Sequence, residues 1–346
     1  MSTALAPARQ GIPFRADPNA KERAWRASFI RAATVIVLSK LRKTSAEEIE
    51  RGFERESRAA VAVMKRSDLP GDSVSRLLLL APRSTAAQLF PLATTVDLIG
   101  VSSFNFQLPT SFAAAGFIAE GEPIPVRQGN FVGLPVGPTR KLALLSALSG
   151  ELETASGGIA ESSISRALED AVGRGMDAVL LSDDAGSDVA PPGLFFGVAP
   201  IAGSADMTTD LAALVGEITS RGIDASSVVF IASAARALII KLSAGPHFDY
   251  RVIASNSMAN DAIVAIATAG LIIAGDGADP IIDISKQALL NFADPASQIS
   301  TPGSPNMVAV PTIAMFQADL IALRCVSRIC WSIAEGAIAS IEGATW

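Results

Sequence analysis

One histidine, two cysteines and one tyrosine in 346 residues leave little of the usual catalytic vocabulary. With His247 alone, a multi-histidine metal site within one chain is excluded. A Ser-His-Asp triad would need that residue as its base, and no Gly-x-Ser-x-Gly elbow accompanies it; a loop histidine with a local role fits Gly245-Pro-His-Phe-Asp249 better. Cys325 and Cys330 are too few for a disulfide framework or a four-cysteine zinc site. Their odd spacing places them on opposite faces of one strand, and neither reads as reactive. No stretch supplies a P-loop. No uncharged run of about 18 residues lacks internal Pro or Gly breaks, and residues 262–274, the best candidate, fall short, so no membrane span is expected. The N-terminus lacks a continuous apolar core followed by a small-residue cleavage site, so the expectation is a reducing cytoplasm rather than secretion.

Carboxylates are present but poorly organised for chemistry. Asp183, Asp184 and Asp188 can in principle hold a hard cation, yet the calcium-loop pattern with its terminal Glu is missing, which favours a solvated turn. Gly275-Asp-Gly-Ala-Asp-Pro280 reads as a turn by composition. Glu120 and Glu122 share one face of an extended chain, as paired glycosidase carboxylates do, but no second polar wall appears. No cofactor and no metal site are expected.

What is abundant is apolar surface: 49% hydrophobic residues and a mean hydropathy of +0.39. Such an excess goes either into subunit contacts or into an Ala-rich core. Charge is uneven. Residues 1–66 hold fourteen Lys/Arg against seven Asp/Glu, and the remainder fourteen against twenty-seven, a basic arm (+7) on an acidic body (−13). That asymmetry points to a polyanion or acidic partner for the arm, or merely to a solvated helix face. Few aromatics interleave with the basic residues, so a sequence-reading nucleic-acid module is not expected.

Periodicity gives a mixed chain. Trp25, Phe29, Ala33, Ile36, Val37 and Leu41 make one helical stripe. Thr44-x-x-Glu47 and Ser45-x-x-Glu48 both fit a capping box for a second helix, carrying Ile49, Phe53, Ala60 and Met64. Residues 159–181 form the clearest helix, striped by Ile164, Leu168, Val172, Met176 and Leu180; Gly173 and Gly175 each weaken it by roughly 1 kcal/mol or allow close packing. Residues 206–304 alternate helix and strand, with Gly222 as a helix stop. Along 319–333, Ile321, Leu323, Cys325, Ile329, Trp331 and Ile333 share one face, opposite Arg324, Arg328 and Ser332.

The organising stretch is Phe117-Ile-Ala-Glu-Gly-Glu-Pro-Ile-Pro-Val126. Pro123 and Pro125, two apart, remove donors from one edge of an extended segment and blunt it against random pairing. Residues 101–140 are too long and apolar for an ordinary loop and too broken by Pro and Gly for a central sheet. An irregular flap on its own domain and a projecting hairpin both satisfy that pattern.

Phe117 to Pro125, the run Lys141-Leu-Ala-Leu-Leu-Ser-Ala-Leu-Ser-Gly-Glu-Leu152, and the long helix after it resemble the extended-loop signature of tailed-bacteriophage major capsid proteins, the Hong Kong 97-like shell family. The resemblance implies an α+β fold. Its parts are an N-terminal helical hairpin (1–70, scaffold-like), an N-arm (71–100), an extended β-hairpin loop (101–140), a peripheral domain with a spine helix and β-sheet (141–205 and 305–346), and an axial βα domain (206–304). It implies a non-enzymatic subunit that self-assembles, as pentamers and hexamers, into an icosahedral head around double-stranded DNA held without sequence specificity. Portal, scaffold and maturation protease are the implied partners, the virion assembled in a bacterial cytoplasm the implied location. Phe117, Glu120, Glu122, Pro123, Pro125 and Arg127 are the implied subunit contacts. Residues 66–140 contain no lysine, so the Lys–Asn isopeptide cross-link of some such shells is not expected. An encapsulin compartment in the same fold, and a small-molecule enzyme using Asp249 or Asp276 in the 206–304 domain, are the alternatives.

Overall fold

The computed structural model describes residues 30–32, 34–35, 37–39, 42, 44–49, 51, 72–112, 117–118, 120, 129–153, 157–245, 248–291, 300–301, 307–308 and 313–346. After helical backbone in the first of these stretches come helices α1 (Ser73–Leu78), α2 (Thr85–Leu89), α3 (Gly157–Leu180), α4 (Met207–Ser220) and α5 (Ala234–Ala244). The strands are β1 (Thr94–Asp97), β2 (Phe104–Phe112), β3 (Gly129–Val136), β4 (Arg140–Ser149), β5 (Ile201–Ala202), β6 (Val228–Ser233), β7 (Arg251–Ser255), β8 (Ile263–Ala267), β9 (Leu271–Gly275) and β10 (Ile281–Ser285). Two short ladders, β11 (Leu289–Leu290) with β14 (Ile313–Ala314) and β12 (Ser300–Thr301) with β13 (Met307–Val308), precede β15 (Leu320–Ile333) and β16 (Ile338–Glu342).

The first sheet is built on β15. Its length lets it pair antiparallel with β4, β10 and β9 along different stretches, and β1 joins β9 in parallel. The alternation along β15 decides what each face meets. Ile321, Leu323, Cys325, Ile329 and Trp331 enter the main core with Ile164, Leu168, Val172, Met176 and Leu180 of α3. Those α3 positions recur at three- and four-residue spacing, and a helix lays such a stripe on a sheet. Cys330, on the other face, belongs to a separate cluster.

The second sheet runs β5-β16-β8-β6-β7. Strand β6, paired on both sides by β8 and β7, is buried throughout, as an apolar run between two neighbours must be. Val229 and Ile231 face the α3 core, while Val228, Phe230 and Ala232 face a second core under α4 and α5. Asp206 caps α4 through the backbone N–H of Thr208 and Thr209, and Gly222, at φ +82°, follows its last turn.

Short α2 ties these layers together. Ser84 accepts from the Ala87 N–H, and the Asp177 carboxylate, reaching from α3, accepts from Thr85 N at 2.7 Å and Ala86 N at 2.9 Å. Three otherwise orphaned donors of α2 are thereby satisfied. Burial pushes the Asp177 carboxyl above its ordinary range, against the pull of these donors. The Thr85 hydroxyl donates to Ser255 of β7. Of the two glycines in α3, Gly173 is a packing glycine: a Cβ there would lie 3.3 Å from that of Ala81. Gly175 has open space.

Strand pairing joins residues on both sides of 304/305. β9 and β10, from within 206–304, pair with β15, whereas β16, expected with the spine-helix sheet, pairs with β5 and β8. The reason is a double crossing. The 3-10 turn Thr268–Gly270 carries the chain from the second sheet into the first, and the turn at Gly336 carries it back. The crossings brace each other: Ala267 N donates to Ala337 O, and Ala334 N to Gly270 O.

At the N-terminal end, Val37 of the expected stripe is fully buried, alongside Ile30, Thr34, Val35 and Leu38. Trp25, Phe29, Ala33, Ile36 and Leu41 lie outside the residues whose side chains are described. Val35, Val37, Leu38 and Ile49 share the main core with Leu77, Leu80 and Phe90.

Candidate assembly surface

β2 and β3 form an antiparallel hairpin that is a sheet of its own. Its strands alternate: Phe104, Phe106 and Leu108 on one, Val132, Leu134 and Val136 on the other. The register sets them opposite each other as Phe104↔Val136, Phe106↔Leu134 and Leu108↔Val132, so one face carries three stacked apolar pairs. At the foot this face is sealed. Val136 is fully buried and Leu134 is 9% exposed, packed with Leu98, Ile272, Ala274 and Cys330 on the outer face of the β15 sheet. The sheet is thus covered by α3 on one side and by the hairpin foot on the other.

Gly137 makes the corner. Its φ of +105° is a conformation L side chains avoid, and a Cβ there would sit 2.5 Å from the Ser102 carbonyl oxygen. Behind the foot, Asp97 accepts from the Ser73 backbone N–H and hydroxyl, and Arg76 pairs with Asp279 at 2.7 Å. This network pins α1, the end of β1 and the 276–280 turn together.

Outward from the foot the burial disappears. Val132 is 53% exposed, Phe131 55%, and Phe117 fully exposed. Ile118 and Glu120 are exposed as well. The expected contacts Glu122, Pro123, Pro125 and Arg127 lie outside the described residues. Sequence reasoning passed over the foot residues, although the Phe104-x-Phe106-x-Leu108 and Val132-x-Leu134-x-Val136 alternations were there to read.

Elsewhere the ionisable residues do structural work. Asp276 accepts from the Ala278 N–H within its turn, and Asp249 is exposed. Asp188 faces Arg140 at 3.7 Å. His247 lies outside the described residues. Among the described residues no three His, Cys, Asp or Glu side chains cluster closely enough to hold a metal ion, and no helix is long and apolar enough to cross a membrane. A cavity of about 630 Å³ between the 194–201 segment and the β15–β16 turn carries Glu217, Arg221 and Glu335 as its charged lining. Neither Asp249 nor Asp276 reaches it, and Glu217 and Arg221 are paired with each other at 3.3 Å. Burial pushes the thiols of Cys325 and Cys330 up to about 11, and they occupy opposite faces of β15 as their spacing predicts.

No protein-family model and no curated protein matches the sequence. Solved structures do. One from Mycobacterium phage Bobi aligns at a TM-score of 0.52 and 13% identity over 78% of this chain and 94% of that one. One from Microbacterium phage Oxtober96 aligns at 0.52 and 12%, over 84% and 98%. The capsid of a native GTA particle aligns at 0.48 and 16%, over 75% and 91%. Nearly the whole length of each phage chain is matched, and the chain therefore has the shell fold of tailed-phage major capsid proteins.

Proposed function

We propose that the chain is a major capsid protein, a structural subunit that assembles into an icosahedral shell around double-stranded DNA. The observation that carries this reading is the gradient along the hairpin, from a foot sealed in the subunit's own core to apolar residues exposed beyond it. Large apolar residues left exposed on a firmly anchored element mark a surface for a partner. In a shell that partner is an adjacent copy, and strength comes from repetition of modest contacts around closed rings. On this reading Phe117, Glu120, Glu122 and Arg127 make contacts between subunits, and Pro123 and Pro125 keep the segment extended. The 101–140 segment is then the extended loop, 206–304 the axial part, and portal, scaffold and maturation protease the accessory partners.

The N-terminal segment reads best as an arm retained in the mature subunit. Val35, Val37, Leu38 and Ile49 share the buried cluster of Leu77 and Phe90, and their removal would uncover it. Electron microscopy and size-exclusion chromatography of the expressed protein test the function. Megadalton shells that carry nucleic acid agree with it; shells that exclude nucleic acid favour a compartment of encapsulin type; a monomer or dimer at every concentration overturns it.

A further inference from the structure

On the second sheet, far along the chain from the hairpin, α5 and β7 enclose a cleft of about 560 Å³ lined by Gln88, Lys241, Phe248, Tyr250 and Arg251. No carboxylate lines it among the described residues. Among the described residues the Lys241 ammonium, the Arg251 guanidinium, the Tyr250 hydroxyl and the Gln88 amide have no hydrogen-bond or ion-pair partner within the chain. The rings are held in place: Phe248 stacks on buried Phe230 at 6.1 Å and Tyr250 meets it edge-on at 5.5 Å. A cleft lined by two cationic side chains fits a ligand bearing anionic oxygens.

The surroundings say what carries that anion. Leu238, Ile239 and Leu242 stand exposed on α5, at 58%, 38% and 73%, while Ala237 and Ile240 bury the opposite face. Leu238 and Lys241 are three apart and Leu238 and Leu242 four apart, so the leucines flank the cation on one helix surface. Nucleic-acid contacts are polar and strongly positive and have no use for a leucine stripe. An apolar patch with a charged margin is instead the composition of a protein interface. The body from residue 67 onward carries twenty-seven Asp/Glu against fourteen Lys/Arg, so the nearest complementary surface is that of another copy.

We infer that the Lys241–Arg251 cleft and the adjoining leucines of α5 dock a second copy of this chain, a carboxylate of the neighbour entering the cleft while its apolar side chains cover Leu238 and Leu242. The contact is heterologous, a cationic surface meeting an acidic one, and such contacts propagate into rings. The inference rests on the shell reading and deepens it.

The test is self-association of the full chain, followed by sedimentation velocity from low to high salt, with the double variant Lys241→Glu/Arg251→Glu beside the wild type. Both residues are exposed, so the variant should fold, which circular dichroism checks. Expected is wild-type association that weakens about tenfold or more as salt screens the contact, and a variant whose association at low salt is about tenfold or more weaker. Leu238→Ser/Leu242→Ser should weaken association without changing its salt dependence. A charge variant that associates as the wild type does overturns the inference and leaves the shell reading standing. Small oligomers that the variant abolishes, with no shells from the wild type, leave the docking surface standing and overturn the shell. A charge variant that assembles normally but loses retention of double-stranded DNA shows the cleft to be a phosphate site and overturns the inference.

Discussion

The two ends of one hairpin use the same kind of residue and meet opposite fates. Val136 and Leu134 at the foot are sealed against Ile272, Ala274 and Cys330; Val132, two residues on, and Phe131 beside it are half exposed, and Phe117 has no cover at all. Val132 continues the alternation of Leu134 and Val136 in the same strand, so strand propensity does not account for its exposure. What differs is whether the chain supplies a second surface. At the foot it does, and burial of a side chain the size of valine contributes roughly 1.5–3 kcal/mol. Toward the far end Val132 and Phe117 stay exposed, and little of their apolar surface is buried within the subunit. The foot therefore belongs to folding and the far end to association, and substitutions at the two should separate those properties.

Val136→Asp should have the largest effect on the subunit. It places a carboxylate in a fully buried apolar cluster, a loss of about 3–5 kcal/mol out of a typical total of about 5–15. Urea unfolding of the unassembled protein should show a much lower midpoint or no folded baseline. Wild-type stability would mean that the foot is not buried in solution. Gly137→Ala should follow at about 1–3 kcal/mol, from a strained positive φ and a Cβ forced against Ser102 O. Its midpoint should fall between those of wild type and Val136→Asp.

Phe117→Ser should change the subunit's unfolding free energy by less than about 0.5 kcal/mol, as exposed substitutions do. Chromatography of the same preparation should nonetheless show shells reduced by tenfold or more. If stability and assembly fall together at Phe117, the division between the two ends is wrong.

How much of this was legible follows from which signals are local. The α3 stripe and the two faces of β15 are periodicities within one segment, and residues such as Leu168, Met176, Leu323 and Cys325 fell where the spacing put them. The alternation of helix and strand over 206–304 was equally readable, but the pairing of β10 with β15 was not, because no local pattern says which sheet a strand joins. The same holds for β16, carried into the second sheet by the crossing at Gly336. No local pattern singles out Asp177, because its partners, Thr85 and Ala86, lie some ninety residues earlier in the chain. The hairpin was legible from its prolines and glycines and its foot was overlooked, since Leu134 and Val136 become special only once Ile272 and Cys330 are known to lie beneath them.

Those neighbours supply the finest test. Cys330 lies under the foot and Cys325 under α3, both buried, both with thiols pushed up to about 11. At pH 7.5 the thiolate fraction is then below about one in a thousand, and only the thiolate reacts with an aromatic disulfide reagent. In the wild-type subunit both should label slowly. Gly137→Ala loosens the corner above Cys330 without touching the α3 side of the sheet, so Cys330 should label several-fold faster while Cys325 does not change. Mass spectrometry of the labelled peptides separates the two. Equal acceleration at both thiols would mean that the foot opens only when the whole sheet unfolds, and that foot and core are a single cooperative unit. A cysteine introduced by Phe117→Cys should label at once in the unassembled subunit, and protection of that thiol in assembled shells would mark the far end as the part of the hairpin that a neighbour covers.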